Sequence, residues 1–427
     1  MRRIIPAPTD ILAPNVTNVK SKEFDVELIT PMYGGGATTG CNDSDFPIRP
    51  TSIRGQLRFW WRATRGARFT TSKELFEEEE KIWGSTDVPS STIVRVESPS
   101  WTKRRNYVGP RDDNYGFKRI DPEAYVLFSA AAADTNRRDL VKEDLQFSVS
   151  ISYVDVCEQD VLCAVWAWVN FGGIGARTRR GCGALYCKDL APNETKSKES
   201  IGAWFKEKMW EYEITLSTTI RDWPTLSNCI FIENTRKYSP LEAWKESIRP
   251  MKNFRQGEDV GRDKRTDPRK PAGRSRWPEP DTLRASFPSR RGYAHSPREF
   301  IPYGFPRAVF GLPIGFKFID GDGPNGADRK GLKIKPEKRE RMASPVILRP
   351  LKTGDNALPM IALFNSNLPP TFEISGTDHT FSREDVINAK LPQYQDSPME
   401  NRTNSGDAIT ALLKFAGENY SFEKVPI

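Results

Sequence analysis

The sequence predicts an α+β fold: a ferredoxin-like βαββαβ unit with long insertions, followed by a second unit. Three observations carry this. Alternating strands and helical faces recur in the order strand, helix, strands, helix, strand. A second series of strands and helices follows the first. The 427 residues, at roughly 150 per domain, leave room for two units.

Phe24–Thr30 alternates apolar and polar residues as a half-buried strand does, and Pro31 with Gly34, Gly35 and Gly36 ends it. After a loop to Pro50, Thr51 or Ser52 supplies an N-cap. The helix it opens has Ile53, Leu57, Trp60, Trp61 and Thr64 on one face and arginines on the other. Thr92–Val96 and Tyr125–Phe128 read as strands. Phe147, Val149, Ile151 and Tyr153 alternate with serines in the clearest strand of the chain. Val161, Leu162, Val165, Trp166, Trp168 and Val169 then mark a largely buried helix, which runs into glycines opening at Gly172. The polar run Asn193–Ser200 reads as a boundary loop, and Trp204, Phe205, Met209 and Trp210 as a short amphipathic helix. We divide the chain into residues 1–205, with the glycine-rich loop, and 206–427, with a basic Pro/Gly-rich insertion. In the second unit Tyr212–Leu216 and Cys229–Ile232 read as strands and a helix surrounds Leu241, Trp244 and Ile248. Further strands fall near Leu312–Phe318, Val346–Leu348, Met360–Phe364 and Phe372–Ile374.

Lys plus Arg is 64 against 56 Asp plus Glu, a net charge of +8, which favours a polyanionic partner. The charge is local: Arg249–Arg291 holds 13 Lys/Arg and 6 Asp/Glu, a net of +7, in a Pro/Gly-rich stretch much of which reads as loop. It is either a solvated insertion or a nucleic-acid-contacting arm. No apolar run approaches the ~18 residues of a membrane span and the start carries no signal-peptide core, so a cytoplasmic protein is expected. The six cysteines lack a C-x-x-C pair and read as reduced thiols; no metal or other cofactor is expected. The two histidines, His295 and His379, read as surface or turn residues, which disfavours histidine-based catalysis.

Three segments carry chemistry. Ile48–Arg68 holds six arginines and no acid, with Arg54, Arg58 and Arg62 stacked at i, i+4 and i+8 and Arg65 one turn beyond Arg62. Such a stack needs compensation, either by an RNA backbone or a partner subunit, or by Glu77–Glu80 folding back. Phe171–Gly183 contains Gly172, Gly173 and Gly175 with Arg177, Arg179 and Arg180. Glycines admit close approach of a phosphate and guanidiniums supply charge, although a bend turning helix into strand needs glycines too. Finally, Asp43 and Asp45 in the early Gly34–Asp45 loop are candidates for Mg²⁺ or ribose chemistry, against the commoner role of turn formation.

The residues Pro31–Gly35, Ile48–Arg62, Phe171–Leu185, Arg276–Asp281, Pro306–Ile314 and Arg341–Pro350 resemble a known family. It is that of the largest RAMP-superfamily subunit, first in naming order, of the type III-B CRISPR effector called the Cmr complex. The resemblance implies two ferredoxin-like (RRM-related) RAMP domains and a place at the end of the effector that holds the 3′ part of the CRISPR RNA. It implies as partners CRISPR RNA, target RNA and the other Cmr subunits, and a subunit that binds rather than cuts. Carried over by position, Arg54, Arg58, Arg62 and Arg65 lie on the signature helix, and Gly172, Gly173, Gly175, Arg177, Arg179 and Arg180 in the glycine-rich loop. The related cleaving subunits place an aspartate in the early loop, where Asp43 and Asp45 lie. The alternatives are thus a metal-dependent endoribonuclease using one of these, or a protein-only capping subunit.

Overall fold

The structure is a computed structural model that describes residues 18–38, 41–43, 45–97, 103–104, 122–127, 140–193, 197–216, 219–267, 273–287, 304–318, 331–388, 390 and 396–427. In chain order the first unit contains β1 (Val19–Leu28), α1 (Pro50–Arg65), α2 (Ser72–Trp83), β2 (Thr92–Glu97), β3 (Lys103–Arg104), α3 (Pro122–Leu127), β4 (Leu140–Val141), β5 (Gln146–Val154), α4 (Glu158–Phe171) and β6 (Leu185–Tyr186), and α5 (Lys198–Glu211) follows. The second contains β7 (Thr225–Ile232), α6 (Pro240–Gln256), α7 (Glu279–Ser286), β8 (Ile314–Phe316), β9 (Leu332–Pro336), β10 (Val346–Thr353), β11 (Asn356–Asn365), β12 (Thr371–Ile374), β13 (Thr380–Ser382), α8 (Arg383–Val386), α9 (Ala408–Tyr420) and β14 (Glu423–Lys424).

The main sheet of the first unit runs β2-β5-β1-β6 and that of the second β10-β11-β7-β14, with antiparallel neighbours. Ranking each unit's four strands in chain order gives 2-3-1-4 both times, so each unit has βαββαβ connectivity. The insertions of the second unit build a third sheet, β13-β12-β9-β8.

Alternation explains the first sheet. Phe24, Val26 and Leu28 of β1 and Phe147, Val149, Ile151 and Tyr153 of β5 point inward, and Phe24 pairs with Val149. Pro50 at the first helical position presets the backbone of α1, whose Ile53, Leu57, Trp60 and Trp61 are buried as the spacing requires. The second sheet is buried on both faces, hence its nearly continuous apolar strands. Leu358, Met360, Ala362 and Phe364 join the core built around α1 and α4, whereas Ile361 joins the core built on α6 and α9. Phe364 contacts Phe59 and Trp60 of α1 at 5.6 and 5.5 Å between ring centroids. The layers are therefore sheet, helices, sheet, helices, and the two units share a core.

Two strand expectations are corrected. Tyr125–Leu127 lies in helix α3, not a strand: Pro122 and Glu123 open it, and Val126 and Leu127 pack with Trp244 and Ile248 of α6; Phe128 is outside the described residues. Tyr212–Leu216 is not a strand, because Tyr212 caps α5 and Glu213 takes a positive φ of 51°. Of the basic stretch, residues 257–267 and 273–278 are irregular, as expected, but both flanks are helical. Its start completes α6, its Trp277 is fully buried, and α7 follows. Arg276 pairs with Asp259 and Asp263, Arg265 with Glu258, and Asp281 bridges Arg274 and Arg284. Residues 268–272 and 288–291 of that stretch, and His295, lie outside the described residues. His379 occupies a turn, its backbone N–H donating to Thr377 Oγ1. The division at 205/206 falls within α5.

Candidate nucleic-acid interface

The arginines of α1 have internal partners. Arg54 donates to the Trp83 carbonyl. Arg58 Nε donates to Glu79 Oε1 at 2.6 Å, and Arg62 donates to both Glu79 oxygens at 2.5 and 2.7 Å. Arg65, fully buried, donates to Asp160 at 2.8 Å and to the Tyr212 and Glu213 carbonyls at 2.5 and 2.9 Å. Helix α2, opened by a Thr71–Glu74 capping box, delivers Glu79 to this spot almost completely buried, while Glu77 and Glu78 pair with Lys73 and Lys81 on their own helix. Of the two compensations weighed for the arginine stack, the structure contains the folded-back acid.

The glycine-rich loop is different. Gly172 ends α4 and is buried; a Cβ there would stand 2.4 Å from Trp60 Nε1. Trp168 Nε1 donates to the Gly173 carbonyl at 3.0 Å, and Gly175 packs against the Tyr33 carbonyl. The close approach these glycines permit is to the protein's own strands and tryptophans. Arg177 takes a left-handed φ of 61°, and a short helical turn over Thr178–Arg180 ends in Gly181, also left-handed, packed on Trp244 of α6.

The three loop arginines gather at the junction of the units. Arg179 donates to the Ser344 carbonyl and lies over the rings of Phe364 and Phe59, 4.8 and 5.4 Å from their centroids. Arg180 donates to the Val346 and Phe310 carbonyls at 2.9 and 3.0 Å. Among the described residues no carboxylate lies within ion-pair distance of Arg179, Arg180 or the buried Arg349. Desolvation pushes Arg179 and Arg180 down to about 10 and Arg349 to about 9, with Arg255, Arg177 and Arg179 acting further on Arg180 as like charges. All stay charged at neutral pH. Desolvation likewise lowers Arg177, with a contribution from Arg341. Carbonyl dipoles satisfy hydrogen bonds but cancel no net charge, so the junction is a positive pole.

That pole opens on a groove of about 640 Å³ between the β9–β10 and β11–β12 connections. Arg179, Lys338, Arg339, Arg341 and Arg383 line it, against Asp222 and Glu337. Lys338, Arg339 and Arg341 are exposed and have no carboxylate within ion-pair distance among the described residues. The sequence reading passed over these three because they lie dispersed among acids in a short connection. The run Lys333–Arg341 nevertheless carries five cations to two acids.

The remaining candidates do not form such a surface. Asp43 Oδ1 accepts from the backbone N–H groups of Phe46 and Asp45 at 2.9 and 3.0 Å, which lower its pKa, so it is the acceptor of an Asx turn. Among the described residues there is no group of three or more His, Cys, Asp or Glu fit to hold a metal. The outer face of the first sheet sets Asp25 opposite Ser148 and Glu23 opposite Ser150, beside Glu27 and Glu97. The carboxylates there repel phosphate, and carboxylates and serines alike give bases little to stack on. No described helix is long and apolar enough to cross a membrane.

Residues 25–186 match the family model of the RAMP superfamily. "CRISPR system Cmr subunit Cmr1-2" of Pyrococcus furiosus is 32% identical over 180 residues, covering 38% of this chain and 92% of the relative. "CRISPR system Cmr subunit Cmr1-1" of the same organism is 29% identical over 171 residues, 38% of this chain and 46% of that relative. Among solved structures, apo Cmr1 from Pyrococcus furiosus superposes with a TM-score of 0.47 at 15% identity, over 82% of this chain and 89% of that one. A chain of the type III-B Cmr-beta complex bound to cognate target RNA gives 0.49 at 12% identity, over 94% and 99%.

Proposed function

The chain belongs to the RAMP superfamily, among the Cmr1 subunits of type III-B CRISPR complexes, and from that premise we propose that it is a non-catalytic RNA-binding subunit. It holds the 3′ part of the CRISPR RNA, the paired target RNA or both, through the sugar–phosphate backbone and with little sequence readout. Its other partners are the neighbouring Cmr subunits. The observation that carries this is the group of desolvated guanidiniums of Arg179, Arg180 and Arg349 at the junction, which carbonyls orient and no carboxylate among the described residues pairs with. A polyanion lowers the energy of such a cluster more than it would that of an ion-paired surface. The bonding of Asp43 within its own turn supports the non-catalytic assignment over the endoribonuclease alternative.

The test is retention of a guide-length RNA by the full chain as salt is raised, with and without Mg²⁺. Affinity is expected to fall linearly on a log–log plot with intact RNA recovered throughout. Salt-insensitive or absent retention favours the protein-only cap, and cleavage that EDTA and Asp43→Ala abolish favours the nuclease.

A further inference from the structure

We infer that the groove between the β9–β10 and β11–β12 connections seats one unpaired nucleotide of an RNA strand, its base on an apolar floor and its flanking phosphates on the cationic rim. The inference rests on the RNA-binding reading and adds to it a site and a preference for single strands. Burial separates floor from rim. Pro336 is buried, and Pro224, Met342, Leu368 and Pro369 are half-buried, whereas Lys338, Arg339 and Arg341 are exposed. The volume of about 640 Å³ lies within the roughly 300–1,000 Å³ of sites that enclose a single small ligand. A floor of proline rings and aliphatic side chains gains nothing from a duplex, whose bases are stacked on one another. An unstacked base buries its apolar face there. Asn367, its amide held by Asp222 Oδ1 at 3.3 Å, stands at the wall with capacity left for a base edge.

The experiment compares a short single-stranded RNA with the blunt duplex of the same sequence, bound to the full chain. The variants are Lys338→Ala/Arg339→Ala/Arg341→Ala, at exposed positions, and Leu368→Glu, which places a charge on the floor. The single strand is expected to bind roughly tenfold tighter than the duplex, and Leu368→Glu to remove that preference. The triple variant is expected to lower the log–log salt slope by about 2, at ~0.7 per phosphate contact. If the wild-type chain binds RNA but the triple variant keeps the wild-type slope and preference, the groove is not the seat and the inference fails while the RNA-binding reading stands. Absence of salt-sensitive binding in the wild type overturns both. Capture of a polyglutamate peptide that the triple variant loses, with RNA binding unchanged, makes the groove a dock for an acidic protein segment and overturns the inference alone.

Discussion

Arg349 Nη1, on strand β10 of the second unit, donates to the carbonyl of Gly172 at the end of α4 in the first, at 2.7 Å. Its Nη2 reaches the Leu185 carbonyl at 2.9 Å and its Nε the Pro350 carbonyl at 3.0 Å. One buried guanidinium thus satisfies carbonyls from both units. Leaving each buried acceptor without a donor costs about 1–3 kcal/mol, partly offset by no longer burying a charge. Arg349→Met is expected to lower unfolding stability by about 2–4 kcal/mol. Arg349→Lys is expected to recover little, since an ammonium lacks the fork that reaches carbonyls on both sides. Urea denaturation of the full chain reads both values.

Gly181 joins the same seam from the other side. At φ +75° it stands so close to Trp244 that an added Cβ would lie 2.5 Å from the indole Cδ1 and 2.7 Å from the Leu348 carbonyl. Trp244 Nε1 meanwhile donates to the Arg180 carbonyl at 2.7 Å, which fixes the indole in place. Gly181→Ala therefore meets both the left-handed backbone penalty and an indole with nowhere to go. A loss of about 2–4 kcal/mol is expected, with the fluorescence of the buried tryptophan shifting as the seam opens. Little change in the urea midpoint would show that the seam yields at no cost.

The βαββαβ order, the α1 core face and the serine-alternating β5 were legible because burial on one face imposes a period that a single chain displays. What decided the role of the arginines was not local. Glu79 lies 17 residues beyond Arg62 in a run of four acids, and nothing in that run marks the third as the one that turns inward. The loop arginines find their acceptors 165 and 166 residues away, on Ser344 and Val346. Tyr125–Leu127 read as a strand because aromatic and β-branched residues favour one, and packing on α6 overrode that preference. Helix α9 went unread, although Asp407 caps it and its apolar residues recur at helical spacing.

The thiols provide a check on packing that is independent of nucleic acid. Burial pushes Cys163 up to about 11 and Cys182 up to about 12, and raises Cys157 and Cys187 as well. A raised thiol pKa means that the neutral, unreactive form persists at pH 8. Iodoacetamide at that pH is expected to label the half-buried Cys41 and Cys229 in the native chain, and the other four after denaturation. Peptide mapping before and after urea measures this. Native labelling of Cys182 would contradict the packed junction, because that thiol sits with Tyr33, Trp244 and Ile248.

Arg58 and Arg62 separate a structural role from a binding one. Each guanidinium already spends its Nε on Glu79, whose side chain is 2% exposed against 26% and 41% for the arginines. Removing the acid leaves two like charges one helical turn apart, while removing both arginines strands a buried carboxylate. Because the guanidiniums are partly solvated, the cost of either is put at about 1–3 kcal/mol rather than the 3–5 of a fully buried pair. In a cycle of Glu79→Ala against Arg58→Ala/Arg62→Ala, the combined variant is expected to lose less than the sum of the two. RNA retention by Arg58→Ala/Arg62→Ala, measured where the chain remains folded, is expected within about twofold of wild type, since neither group is free to exchange its carboxylate for a phosphate without exposing Glu79 to the loss just described. A fall of tenfold or more, with circular dichroism unchanged, would return the α1 arginines to the RNA surface and make Glu79 a placeholder that phosphate displaces.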